Sequence, residues 1–293
     1  VKLLIVGRSG QVARALLDRA PSHGLEVQAF GRPQLDLLRP NTIAPLFAAA
    51  RPDVVINVAA FTTVDKAETQ RDAAFAVNAA GAEAVAAAAS AAGAPVIHAS
   101  TDYVFSGDKQ SPYVEYDATA PASVYGATKL EGERRVLAAN PRAVIVRTAW
   151  MYDSQGSNFV RTMLRLARAR REVSIVEDQV GCPTYAADFA DGLLAIAGRK
   201  ADPVGIYHCA GAGETSWAGF AEEVFAASRD RGGPSARVIP ISSHEYPTPA
   251  PRPANSRLNC SKLAIDYGVR LRPWRSALAD CMDAIAASGW SVE

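Results

Sequence analysis

A tyrosine and a lysine stand four residues apart in Y125-G-A-T-K129. Four residues is just over one helical turn, so on a helix the phenol and the ammonium are neighbours. A phenol ordinarily titrates near about pH 10, too high for easy proton exchange at neutral pH. A cation beside it, and the positive nicotinamide of an oxidised dinucleotide, favour the phenolate and lower that value. Tyr125 then suits the role of general acid toward a ketone that is accepting a hydride. Lys129 can also hold the ribose hydroxyls of such a cofactor. Upstream, PVIHAS runs into TDYVF, which sets Ser100, Thr101, Asp102 and Tyr103 near a C-terminal strand end, where ligands bind in open α/β sheets. The Thr101 hydroxyl can donate a second hydrogen bond to the ketone oxygen and stabilise its developing charge. Alone, Y-x-x-x-K is common by chance and reads as a surface pair. Joined to Thr101 and to a nucleotide-binding fold it reads as catalytic.

That fold is signalled by GRSGQVA, which follows the first apolar run. Gly7 permits a tight turn and Gly10 lets a pyrophosphate approach the backbone. Ala13 stands where a third glycine often lets helix and strand pack closely. Gln11 and Val12 open the helix, whose N-terminus points unpaired N–H groups at the phosphates. A glycine triplet is a weak signal by itself, but here it follows a strand and opens a helix, which is the required context. The second strand ends in FGRPQLD. Gly31 and Arg32 occupy the region where an acid would bind the ribose 2′-hydroxyl of NAD, and a guanidinium suits a 2′-phosphate. Arg8 is a second basic group, with solvated surface arginines as the plainer alternative. The expectation is NADPH, with NADH second, and Asp36 against the adenine.

The elements that must position these residues alternate. LLIVG, EVQAF, DVVINVAA, PVIHAS and AVIVRTAW are short, rich in Val and Ile, and read as strands buried on both faces. QVARALLDRA, TIAPLFAAA, AAFAVNAAGAEAVAAAASAA and YGATKLEGERRVLAA read as helices between them. Such alternation predicts an α/β protein, a Rossmann-type doubly wound parallel sheet. The alanine run suits a helix that packs close to the sheet. After about residue 150 the rhythm loosens into a smaller α/β substrate-binding domain. The expected division is 1–150 and 151–293, with segments near 186–212 returning to the first domain. The proline-rich PTPAPRPANSRLN reads by composition as a linker.

The whole chain bounds these readings. Its 293 residues are 49% apolar and 21% charged, with a net charge of +1, so neither nucleic acid nor an anionic membrane surface is favoured as partner. The four cysteines form no C-x-x-C pair, and the four histidines no H-E-x-x-H. No metal site, no disulfide framework and a reducing, cytoplasmic location are expected. VKLLIVG is too short for a signal sequence, and no stretch reads as a membrane span.

With these motifs assembled, the chain resembles the extended short-chain dehydrogenase/reductases, and among them the dTDP-4-dehydrorhamnose reductases. The resemblance runs nearly end to end: GRSGQVA, RPDVVINVAAFTTVDKAE, STDYVFSG, TAPASVYGATKLEGE, RTAWMY, FVRTMLRLA, DQVGCPT and YPTPAPRPANSRLN. The glycine triplet and the Tyr/Lys pair are shared across the superfamily, and the later motifs are closer to specific. It implies NADPH-dependent reduction of the C4 ketone of dTDP-6-deoxy-L-lyxo-4-hexulose to dTDP-L-rhamnose. It implies that Ala59, Ala60 and Thr62 line the cofactor, with Asn78 on the neighbouring helix. Asp102 and Tyr103 would sit beside the sugar, Trp150 would pack against it, and Asn158 and the segment around Arg257 would hold the nucleotide. The proline-rich stretch would then flank the substrate. Asp65, Lys66 and Glu68 read only as a charged helix start. Some relatives bridge a dimer through a divalent metal held by acidic residues. The matching positions here are Ala15 and Ala187, so a monomer or weak homodimer is expected. Two rival readings are a non-catalytic NADP-binding subunit similar to the regulatory subunit of methionine adenosyltransferase, and a reductase of another nucleotide-linked 4-ketosugar.

Overall fold

The structure, a computed structural model, describes residues 1–290. Strands β1 (Lys2–Val6), β2 (Glu26–Phe30), β3 (Val54–Asn57), β4 (Val96–Thr101) and β5 (Val144–Thr148) join the strand Gly205–His208 in one sheet. Its order is β2, β1, β3, β4, β5 and then Gly205–His208, with every pairing parallel. All four residues of β3 are buried, as expected when helices cover both faces of a parallel sheet. On one face the helices Gln11–Arg19 and Ala186–Gly198 pack through Leu16, Phe189 and Leu193. On the other lie Ile43–Ala50, Ala82–Ala91 and Val124–Ala139, contributing Phe47, Val85, Ala89 and Val136.

The chain runs outward from β1 to β2 and then crosses back past β1 to β3. The C-terminal ends of β1 and β3 therefore flank the point where the winding reverses, and a crevice opens there. Gly7 sits at that point with φ +114°, and a Cβ on it would come within 3.2 Å of the Ala59 nitrogen.

The alanine-rich segment differs from the expectation of one uniform helix. Arg71–Phe75 passes through a π-helical turn, Ala76–Gly81, before Ala82–Ala91 continues the same rod. The joined run 71–91 is long and apolar enough to cross a membrane by length and composition, which corrects the expectation that no stretch would be. Half of it is buried inside the protein, where its alanines face the sheet.

A separate core gathers the helices Phe159–Ala169, Trp217–Arg229 and Trp274–Ala287 over the parallel strands Glu172–Val176 and Arg237–Ile241. Between this core and the main sheet, the short strand Val180–Gly181 pairs antiparallel with Thr215–Ser216 and parallel with Asn255–Ser256. The proline-rich stretch therefore enters a three-stranded sheet rather than hanging as a linker.

Candidate active site

β4 ends at Thr101 and passes directly into a single 3-10 turn, Asp102–Val104. The Thr101 hydroxyl accepts from the Tyr103 N–H at 3.2 Å and donates to Asp102 Oδ1 at 3.0 Å. The helix Val124–Ala139 starts beside it. Ser123 caps the helix by accepting from the Gly126 N–H at 3.1 Å, and Glu68 Oε1 accepts from the Val124 N–H at 2.9 Å. A Cβ on Gly126 would lie 2.2 Å from the Tyr103 carbonyl, so only glycine lets this first turn close on the end of β4. As a result the Tyr103 and Tyr125 rings meet edge to face, 5.5 Å apart. Nearly two turns on, a Cβ on Gly132 would strike the Asn78 carbonyl at 2.1 Å. The helix therefore rests on the π-helical turn, a device often found at functional sites. The Asn78 amide accepts from the Phe61 N–H at 2.7 Å and donates to the Phe61 carbonyl at 3.1 Å and to Thr128 at 3.0 Å.

The Lys129 amino group donates to the Ala99 carbonyl at 2.7 Å and lies 3.3 Å from His98 Nε2. Burial pulls its pKa down to about 8, against the opposing pull of Glu133. The Tyr125 pKa moves upward instead of downward. Burial is the larger cause and the Asp102 carboxylate the next, while the Thr101 hydroxyl pulls the other way. The expected lowering by Lys129 is thus corrected: its nitrogen donates to the Ala99 carbonyl, and the charge that acts on the phenol is the negative Asp102. Tyr125 stands as a neutral phenol with its proton in place, the form a general acid requires. Asp102 is itself pushed up to about 6 by burial, with the Ser256 and Thr101 hydroxyls opposing. Its Oδ2 is buried and has no partner among the described residues.

The glycine loop opens the helix Gln11–Arg19 with no side chain capping it, and a Cβ on Gly10 would meet nothing within 4 Å. Unpaired helical N–H groups therefore face open space. The Gln11 amide bonds outward instead, donating to the Ser157 carbonyl at 3.4 Å and accepting from Asn158 at 3.2 Å. Val12 packs against the core under the loop. Across the crevice Ala59 donates its N–H to Asn57 Oδ1 at 3.2 Å, and Ala60 and the exposed Thr62 follow. Arg32 is exposed just after β2, and Arg8 packs on Gly31, whose Cβ would come within 3.1 Å of the arginine Cβ. The two basic residues thus stand at one edge of the crevice. The Asp36 carboxylate is occupied within its own loop, accepting from the Leu38 N–H at 3.1 Å with Arg39 at 4.0 Å.

On the substrate side, Trp150 has φ +48° and stacks on Trp217 at 3.5 Å. Gly181 lies beneath its ring, where a Cβ would come within 2.4 Å. The residues predicted further out are tied into the framework. Asn158 caps the helix Phe159–Ala169 and donates to the Asp153 carbonyl at 2.8 Å. Arg257 donates to Asn255 at 2.9 Å, Glu214 at 3.1 Å and the Gln110 carbonyl at 2.6 Å.

The family model for the RmlD substrate binding domain matches residues 1–287. A curated dTDP-4-dehydrorhamnose reductase of Sinorhizobium fredii is 47% identical over 294 residues, covering 99% of each chain. The crystal structure of a dTDP-4-dehydrorhamnose reductase from Clostridium acetobutylicum superposes with a TM-score of 0.92 at 39% identity, over 97% of this chain and 99% of that one. A dTDP-4-dehydrorhamnose reductase of Bacillus anthracis, solved in complex with NADP, gives 0.90 at 34% identity over 96% and 98%.

The chain belongs to the RmlD substrate binding domain family.

Seen as an RmlD-type chain, it has a cradle that fits a dinucleotide: Gly7 at the turn, the uncapped helix start at Gly10, and two arginines at the rim. Four further residues of this site went unassigned in the sequence. Ser256 stands beside Asp102, and Trp217 supports Trp150. Asp65 holds Arg252 at 2.8 Å and accepts from the Ala250 N–H at 3.2 Å. Glu68 caps the helix Val124–Ala139. Asp65 and Glu68 looked like a charged helix start because their partners lie far along the chain.

Proposed function

We propose that this protein reduces the C4 ketone of dTDP-6-deoxy-L-lyxo-4-hexulose to dTDP-L-rhamnose with NADPH. One observation carries the reading. Thr101, Tyr125 and Lys129 converge at the end of β4 in a chain whose likeness to dTDP-4-dehydrorhamnose reductases spans nearly its whole length. When bound, NADPH supplies the hydride. The protein's own groups do the rest. Tyr125 holds a proton for the C4 oxygen, and Thr101 donates to that same oxygen. Lys129 binds the ribose hydroxyls, and Gly7, Gly10 and the helix start beyond them hold the pyrophosphate. Arg32, with Arg8, meets a 2′-phosphate. Asp102, Tyr103 and Trp150 enclose the sugar, and Arg257 sits on the nucleotide side. A monomer or weak homodimer is part of this reading, supported by alanine at positions 15 and 187, where some relatives carry metal-binding acids.

The test is to supply purified protein with NADPH and the dTDP-linked 4-keto-6-deoxy sugar and identify the product by NMR. One dTDP-L-rhamnose per NADPH consumed is expected. NADPH binding without product would overturn the reading.

A further inference from the structure

The glycine loop has a support that the reaction as described does not use. Arg14 stands in the first turn of the helix Gln11–Arg19. A cation there runs against the helix dipole, so the helix itself gives no reason for an arginine. The side chain leans back toward the helix start, as helical side chains do, and Nη1 donates to the Ser9 carbonyl at 2.7 Å. On its other side the guanidinium is wrapped by the loop 153–158. Asp153 Oδ2 lies 3.7 Å from Nη2, and a Cβ on Gly156, which has φ +73°, would come within 2.9 Å of the same nitrogen. Asn158 closes that loop by donating to the Asp153 and Gln155 carbonyls at 2.8 and 3.2 Å. Nε and Nη2 are both covered by protein, and the third nitrogen is bound to Ser9.

The Ser9–Gly10 peptide is trans, so its carbonyl and the Gly10 N–H point in opposite directions. Holding the carbonyl on Arg14 turns that N–H away from the guanidinium. The N–H donates to nothing among the described residues. Glycine at this position makes the hold necessary, because a residue without a Cβ lets the peptide before it flip. The flipped peptide would offer a carbonyl oxygen where an anion needs a donor.

We propose that Arg14 is a positioning residue for the cofactor pyrophosphate. By gripping Ser9 it keeps the Gly10 N–H available as one more donor beside the uncapped helix start, and Asp153 keeps the guanidinium in place. Asp153 follows Trp150 by only three residues, so the same contact ties the glycine loop to the segment that carries this tryptophan. The inference concerns NADP(H) alone and does not depend on which ketosugar is reduced.

The full chain labelled with 15N, with the Gly10 amide assigned, reports that donor directly. NADP⁺ is expected to move the Gly10 amide proton downfield in the unsubstituted protein, as a charge-assisted hydrogen bond does. Arg14→Met keeps the apolar stem and removes the grip. It is expected to abolish the shift and to weaken NADP⁺ binding about tenfold or more by calorimetry. Adenosine 2′-phosphate, which has no pyrophosphate, should bind both proteins equally, and the unfolding midpoint should stay close to that of the parent. Asp153→Asn should weaken NADP⁺ in the same direction by a smaller factor. A Gly10 amide that ignores NADP⁺ in the unsubstituted protein overturns the proposal, even if Arg14→Met fails to fold. So does weaker NADP⁺ binding in Arg14→Met with the Gly10 shift retained, which would mean that the guanidinium touches the phosphates itself. An equal loss for adenosine 2′-phosphate, or no loss for NADP⁺, overturns it as well.

Discussion

Lys129 and Glu133 lie one turn apart on the helix Val124–Ala139, each 3% exposed or less, and their surroundings treat them in opposite ways. Glu133 is held at 2.9 and 2.7 Å by Arg147 and at 2.5 Å by Ser100, which locks the helix to β4 and β5. The Arg147 guanidinium also lies over Phe105, 5.0 Å from the ring centre. Toward the helix start the polar groups are left strained in charge rather than paired. Lys129 is pulled down to about 8, Tyr125 is pushed up, and Asp102 keeps a buried oxygen without a partner among the described residues. Buried polar atoms normally find partners, and unmet ones mark a site prepared for something else. Anchorage and the proposed chemistry thus share one helix.

Substitutions at the two ends should separate these roles. Glu133→Ala leaves the Arg147 charge buried and unopposed, and a loss of about 3–5 kcal/mol in urea unfolding is expected. Near wild-type stability in that variant would mean the pair is not the anchor. Thr101→Val should do the reverse. The loss of one donor to the C4 oxygen lowers kcat by about 10²–10³-fold, while the unfolding midpoint stays close to that of the parent. Asp102→Asn sharpens the contrast further through pH. The Asp102 pKa is raised in the folded protein, so its contribution to stability is present in full below the unfolded value and is lost as pH rises to about 6. The unsubstituted protein should therefore lose stability between about pH 4 and 6, by up to about 3 kcal/mol from this group. Asp102→Asn should flatten that part of the stability curve, and an unchanged slope would show that the carboxyl is not the group responsible.

How far the sequence reached follows the same division. The strands, the crossover helices and the glycine turn were legible because each depends on local patterns: short apolar runs, longer helical stretches between them, and glycine at a forced turn. Thr101, Tyr125 and Lys129 were legible because short spacings on known elements place them together. The direction of the Tyr125 shift was not, since it depends on Asp102, Thr101 and the depth of the cleft, which no spacing encodes. Asp65 and Arg252 meet across 187 positions, and Ser256 reaches Asp102 only because the proline-rich stretch pairs with Val180–Gly181. The π-helical turn was hidden for a different reason: alanine suits either helical geometry, so AVNAAG carries no mark of the bulge that aims Asn78 at Phe61 and Thr128.

The most direct test of the account is the rate of hydride transfer in Tyr125→Phe, measured with NADPH and the dTDP-linked 4-keto-6-deoxy sugar, alongside NADPH affinity. The account predicts a loss of about 10²–10⁴-fold in rate with cofactor affinity nearly unchanged. A Tyr125→Phe protein that still reduces the sugar at close to the parent rate would contradict it.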